Sequence, residues 1–360
     1  MPPKKSTAKK SATTKHIIAK SSTKSDTTKS SLQECDTQKC VQDFGEDLTH
    51  TSPHSTANVS VCGGGAWGSA LAYALAHSTD VCIASRRTLS LPSDTPCQIL
   101  QVDCASALSS RFVIIAISTP NLRKWLSLQS KFLQPNTKYL FASKGIEEGS
   151  GAFVHTIALD FIPKENLAFL SGPSFAAEVR AKLPCALAIH AYNDEVAKDF
   201  AKFFPSFIKP YTGGDVIGAE VSGAYKNVLA IAGGICDELK LGHNAKAALL
   251  ARGLIEMERF GRYFGGESKT FLGLEGAGDL FLSANSTLSR NYRVGVGLAQ
   301  GKNIDRILCE LGEVAEGVRT AYAIQGIAKK HDIYTPIVNE VVGILQGKSC
   351  KEGILSLMSR

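Results

Sequence analysis

The sequence predicts an α/β protein, with a doubly wound sheet in its N-terminal part and an all-helical C-terminal domain. Three observations carry this expectation. Short apolar runs alternate with helical patterns from Val59 to about residue 190. A glycine-rich turn joins the first run to the first helical pattern. From about Glu220 the strand-like runs cease, and apolar residues recur at helical spacing to the end of the chain.

The runs at 59–62, 81–84, 112–117, 138–142, 167–170 and 185–190 read as buried strands of a parallel sheet. The segments 67–77 and 121–132 read as the helices between them. Breaks in the later helices fall near Gly265-Gly266, Gly276–Gly278, Gly301 and Pro336. The predicted division is a tail over 1–56, a dinucleotide-binding domain over 57–219, and a helical substrate domain over 220–360. No internal repeat is evident.

The formal charge of +7 is local: residues 1–30 hold eight lysines against one acid, Asp26, so the rest of the chain is close to neutral. This Lys/Ser/Thr/Ala stretch has too little apolar surface to offset ordering entropy, so residues 1–56 are expected to be disordered. The tail lacks the apolar core of a secretory signal and the Arg-rich amphipathic stripe of a transit peptide. A solvated extension is favoured over a tether to nucleic acid or an anionic surface, and no nucleic acid is expected at the core. Apolar runs such as Phe112–Ile117 are too short to cross a bilayer. The ten cysteines form no Cys-x-x-Cys and no zinc spacing with histidine. Cys62 and Cys82 in predicted strands and Cys236 in a predicted helix read as small hydrophobes of a cytoplasmic chain, and no metal site is expected.

The chemistry begins at Gly63-Gly-Gly65-Ala-Trp67-Gly68, placed between a strand and a helix. In that context Gly63 permits the tight turn, Gly65 admits a pyrophosphate, and Gly68 lets the helix pack on the strand. This is the Rossmann-type fingerprint for a nicotinamide dinucleotide. An acid on the ribose would favour NAD, but Ser85-Arg86-Arg87 follows the second strand, and arginines there suit the 2′-phosphate of NADPH. NADPH is therefore expected, with NADH as the alternative.

Further along, Lys144 follows a strand at the sheet end where ligands bind. Ser171-Gly172-Pro173-Ser174-Phe175-Ala176 follows the next strand. There Pro173 is placed for a first helical turn, and Ser171 or Ser174 for an ordinary cap. Lys226 lies among small and apolar residues on every face of its helix, so burial is expected to lower its pKa into the range of a general acid/base. The competing reading is a lysine that snorkels to water. Asn227 beside it could orient a hydroxyl. Gly276-Ala-Gly278-Asp279 and Ser289-Arg290-Asn291 add an acid, a guanidinium suited to phosphate, and an amide.

In this order the motifs resemble the bacterial-type NAD(P)-dependent glycerol-3-phosphate dehydrogenases, from about Val59 to the last helices. Glu313-Val-Ala-Glu316-Gly-Val-Arg-Thr320 completes the match. The resemblance implies reversible reduction of dihydroxyacetone phosphate to sn-glycerol 3-phosphate, supplying phospholipid synthesis, without a metal. It implies Lys226 as the catalytic proton donor and acceptor. Substrate positions would be Lys144, Gly172, Ser174, Lys226, Asp279, Ser289, Arg290 and Asn291. Cofactor positions would be Gly63, Gly65, Trp67, Gly68, Arg86, Arg87, Lys144, Ala176, Arg290, Val314 and Glu316. Three features depart from the family pattern: the segment from Arg87 to Phe112 is short, Ser283-Ala284 replaces a Thr-Cys pair, and the basic tail is foreign to the core. Two rivals stand beside this reading: a β-hydroxyacid dehydrogenase, and a non-catalytic dinucleotide sensor that uses its tail. A homodimer is left open.

Overall fold

The computed structural model describes residues 57–359 except 313. The predicted tail, 1–56, lies outside the described residues. Eight strands form one sheet in the order β3-β2-β1-β4-β5-β6-β7-β8. They are β1 (Val59–Cys62), β2 (Val81–Ala84), β3 (Ile99–Val102), β4 (Phe112–Ile115), β5 (Lys138–Phe141), β6 (Leu167–Ser171), β7 (Cys185–Ala191) and β8 (Ile208–Gly213). The helices among them are α1 (Ala66–Leu75), α2 (Cys104–Leu108), α3 (Thr119–Gln129), α4 (Val154–Leu159), α5 (Ala176–Arg180) and α6 (Asp194–Ala201). Strands β1, β2, β4 and β5 carry almost unbroken buried apolar runs, as a sheet covered on both faces requires.

Two predicted features are corrected. The sheet is parallel only as far as β6: β7 pairs with β6 antiparallel, Ser171 facing Ala188, and β8 follows β7 in parallel. A parallel neighbour needs a crossover over the sheet face. The intervening α5 has only five residues and lies against α1, so the chain simply turns back. Pro173 also lies before that helix rather than in its first turn. The residue at the helix start is Phe175, without a side-chain cap. The serines serve elsewhere: Ser171 Oγ donates to the Ala219 carbonyl and Ser174 Oγ to that of Gly172.

Beyond Gly213 every regular element is helical among the described residues. These are α7 (Val216–Glu238), α8 (His243–Tyr263), α9 (Ser268–Leu272), α10 (Asp279–Ala284), α11 (Arg290–Ala299), α12 (Ile304–Leu311), α13 (Glu316–Lys330), α14 (Pro336–Leu345) and α15 (Cys350–Met358). A turn of π-helix, Leu274–Gly278, leads directly into α10. Helix α7 is the axis of this part, packed by α8, α10, α11, α13 and α14. Asp215 starts it by accepting from the Gly218 amide at 2.8 Å, a cap worth about 1 kcal/mol. Its small residues permit a close crossing. A Cβ on Gly234 would overlap the Tyr292 carbonyl of α11, and one on Gly295 of α11 would overlap the Ile231 carbonyl of α7. Hydrophobic residues form two clusters, one around β1, β2, α1 and α6, the other around α7. No helix among the described residues is long and apolar enough to cross a membrane.

Candidate active site

The carboxyl ends of β1, β5 and β6 carry the turns that the sequence marked, as expected for an open α/β sheet. After β1, Gly63 takes φ +119°, a left-handed conformation that favours glycine. A Cβ on Gly68 would overlap the Gly63 carbonyl oxygen, so the close approach of helix to turn demands glycine there. Gly65 is different: a Cβ on it would enter open space. No atom among the described residues requires a glycine at that position, whereas a bound group lying on the backbone would.

Helix α1 starts at this turn with no side-chain cap, which leaves its first-turn amides for an anion. Trp67 Nε1 is a buried donor without a partner among the described residues. The turn therefore fits a dinucleotide. Beside it, Arg87 donates to the Gly64 carbonyl at 2.9 Å, while Arg86 is exposed in the same loop.

A second cluster forms where α7 and α10 meet the ends of β5 and β6. Lys226 Nζ donates to Asp279 Oδ1 at 2.9 Å and to Ser283 Oγ at 2.8 Å. Lys144 Nζ donates to Asp279 Oδ2 at 2.9 Å and to the Gly172 carbonyl at 2.9 Å. One carboxylate thus spans two ammonium groups that come from different parts of the fold. Lys226 is 9% exposed and Asp279 1%, which excludes the snorkelling alternative for Lys226.

The electrostatics follow from burial. Desolvation lowers the Lys226 pKa from the ordinary lysine value; Asp279 opposes the shift and the Lys144 charge adds to it. Burial alone would raise the Asp279 pKa, but the two ammonium groups outweigh it and hold the carboxyl below its usual range. Glu316, at the start of α13, accepts from the Thr119 amide at 3.3 Å. Burial raises its pKa, against the attraction of Arg290, Lys226 and Lys144.

The remaining marked residues take varied positions. Ser289 Oγ caps α11 by accepting from the Tyr292 amide. Asn291 is buried, and its Oδ1 accepts from the Gly317 amide at 3.0 Å, tying α11 to α13. Arg290 between them is exposed. Asn227 is buried beside Lys226, Ala176 is half-buried at the start of α5, and Val314 is exposed just before α13.

Two contributors escape a reading of the sequence alone. Ser283 looked only like a departure from a family pair, yet it is a direct partner of Lys226. Its spacing of four from Asp279, one helical turn, was the available signal. His190 and Glu275 form a buried pair at 2.6 Å between β7 and the π-turn that precedes Asp279. No local pattern marks them. Among the described residues no group of three His, Cys, Asp or Glu side chains could hold a metal.

A fingerprint turn at the carboxyl end of one strand of an open α/β sheet, together with a buried lysine held by a carboxylate where the helical part meets that sheet, defines a nicotinamide-dinucleotide oxidoreductase. The comparisons with known proteins narrow the class. Residues 91–197 match the model of the NAD-dependent glycerol-3-phosphate dehydrogenase N-terminus, and residues 215–355 that of its C-terminus. A relative from Wolinella succinogenes, described as glycerol-3-phosphate dehydrogenase [NAD(P)+], is 57% identical over 84% of this chain and 99% of its own. A relative of the same description from Helicobacter acinonychis is 55% identical, with the same shares covered. The solved glycerol-3-phosphate dehydrogenase of Coxiella burnetii superposes with a TM-score of 0.78 at 30% identity, over 85% of this chain and 99% of that one. The chain belongs to the NAD-dependent glycerol-3-phosphate dehydrogenase family.

Proposed function

We propose that this protein interconverts dihydroxyacetone phosphate and sn-glycerol 3-phosphate with NADPH or NADH, in the cytoplasm, supplying glycerol phosphate for phospholipid synthesis. The observation that carries the chemistry is the buried Lys226, held by Asp279 and Ser283 at the ends of the strands. Family membership supports the substrate and the cofactor.

The proposed roles divide near residue 219. Residues 57–219 hold the cofactor: Gly63, Gly65 and Gly68 with the start of α1 take the pyrophosphate, and Arg86 with Arg87 faces the 2′-phosphate. Trp67, Lys144, Ala176, Arg290, Val314 and Glu316 line the same groove. Residues 220–360 supply most of the substrate site. The bound dinucleotide supplies the hydride. In the reductive direction the Lys226 ammonium polarises the C2 carbonyl and gives its proton to the oxygen, completing the alcohol. In the oxidative direction the neutral amine takes that proton back. Asp279 stays anionic, fixes the two ammonium groups relative to each other, and keeps Lys226 chargeable despite its burial. Arg290 anchors the substrate phosphate. Lys144, Gly172, Ser174, Ser289 and Asn291 complete the pocket.

Loss of NADPH absorbance on adding dihydroxyacetone phosphate tests the reading, with Lys226→Ala in parallel. Wild-type turnover that the variant loses supports it. Turnover of a non-phosphorylated hydroxyacid in its place would favour the β-hydroxyacid dehydrogenase, and tight cofactor binding without turnover of either would favour the sensor.

A further inference from the structure

The loop after β2 carries the arginines that the proposed function assigns to the NADPH 2′-phosphate. Only part of its anchoring comes from its own residues. Ser85 Oγ accepts from the Arg87 amide, and Arg87 reaches back to the Gly64 carbonyl. A further part comes from one side chain on the neighbouring edge strand. Gln101, on β3, pairs in register with Ile83 of β2. Its Oε1 accepts from the Leu89 amide at 2.9 Å, and its Nε2 donates to the Arg87 carbonyl at 2.9 Å and the Ser85 carbonyl at 3.4 Å.

The three partners are one backbone amide and two backbone carbonyls. Only an uncharged carboxamide in this orientation serves all three, since a carboxylate lacks the donors and an apolar chain lacks everything. The loop so held lies directly on the phosphate turn: a Cβ on Gly64 would overlap Ser85 Oγ and meet Leu89 Cδ1 at 3.0 Å. The stretch from Arg87 to Phe112 contains β3, and β3 brings Gln101 within reach of the loop.

We propose that Gln101 is a positioning residue for cofactor choice: it fixes loop 85–89 so that the loop's arginines meet the 2′-phosphate, and thereby sets the preference for NADPH over NADH. The inference rests on the proposed role of Arg86 and Arg87. Rigid placement of a guanidinium matters because a charge-assisted hydrogen bond loses its value when the donor must be reordered on binding.

The test is direct binding without substrate. NADPH and NADH are titrated by nicotinamide fluorescence into wild type, Gln101→Met and the double variant Arg86→Ala/Arg87→Ala. Gln101→Met keeps the length of the side chain and removes its polar anchors. The expected result is an NADPH affinity reduced about tenfold, the value of one charge-assisted hydrogen bond, with NADH affinity changed less than twofold. Equal losses for both cofactors would mark Gln101 as merely structural and overturn the inference. So would an unchanged ratio in Gln101→Met while the arginine variant shifts it; the arginine reading would then stand alone. An unchanged ratio in the arginine variant would overturn that reading and the inference together.

Discussion

Replacing Asp279 by Asn is the most informative single change, because it removes one charge and almost no volume. Each carboxylate oxygen lies 2.9 Å from an ammonium nitrogen. At an effective dielectric of about 20, a unit pair at that spacing attracts by about 6 kcal/mol before desolvation is counted. Desolvation offsets much of this, and removing one member of a buried pair costs about 3–5 kcal/mol. An amide cannot replace the carboxylate. If its oxygen faces Lys226, its NH2 donates toward Lys144, which offers only donors. Lys226 then keeps the burial and the Lys144 repulsion that lower its pKa and loses the charge that opposes them. If about 3 kcal/mol falls on the Lys226 protonation equilibrium, its ratio of ammonium to amine falls about 100-fold at any given pH. The assay is NADPH oxidation with dihydroxyacetone phosphate from pH 6 to 10. The expectation is an alkaline limb moved about two pH units lower, with kcat reduced about 100-fold on the alkaline side of the wild-type limb. Cofactor affinity, measured by fluorescence, serves as the check on folding. A folded variant with kcat within threefold of wild type and an unmoved alkaline limb would refute the reasoning.

Other consequences are equally accessible. With Lys226 in its proposed role, ketone reduction uses the ammonium, so its rate should fall as pH rises through the lowered pKa, and alcohol oxidation should rise over the same interval; parallel slopes in both directions would contradict that role. Gly65→Ala places a methyl group in open space, so its melting temperature should match wild type while cofactor affinity drops at least tenfold. Gly68→Ala drives a Cβ into the Gly63 carbonyl and should lose more than about 2 kcal/mol of stability, read by urea denaturation. Glu275→Gln weakens the buried hydrogen bond between Glu275 and His190, and is expected to cost about 1–2 kcal/mol of stability by the same measurement.

How far the fold was legible depended on where each element sits. The strands β1, β2, β4, β5, β6 and β7 were read to within two residues because their runs are apolar and interior. The two strands that escaped, β3 and β8, are the outermost in the sheet. Ile99–Val102 is at best half-buried, and β8 holds Lys209, Pro210 and Thr212, so neither presents the continuous apolar run of a covered strand. Proline is tolerated at such an edge because one side of the strand needs no ladder donor. The reversal at β7 was illegible for a different reason. Strand direction is set by how the connection packs, and the apolar pattern of a strand is the same in either direction.

The sequence by itself determined the glycine turn, the strand before it and the helix after it, because those demands are local: a left-handed φ, a close approach, a helix start. It also pointed to a buried Lys226, since its helix carries small and apolar residues on every face, but only the structure excluded a lysine that snorkels to water. Only the tertiary structure decided what that lysine touches. Asp279 is 53 residues from Lys226 and 135 from Lys144, and Ser283 is 57 residues from Lys226. No periodicity reaches across such distances. The partners of a buried charge are chosen by which helix crosses it and at what height, and here the crossing of α7 and α10, with the π-turn tied to β7 through Glu275 and His190, makes that choice.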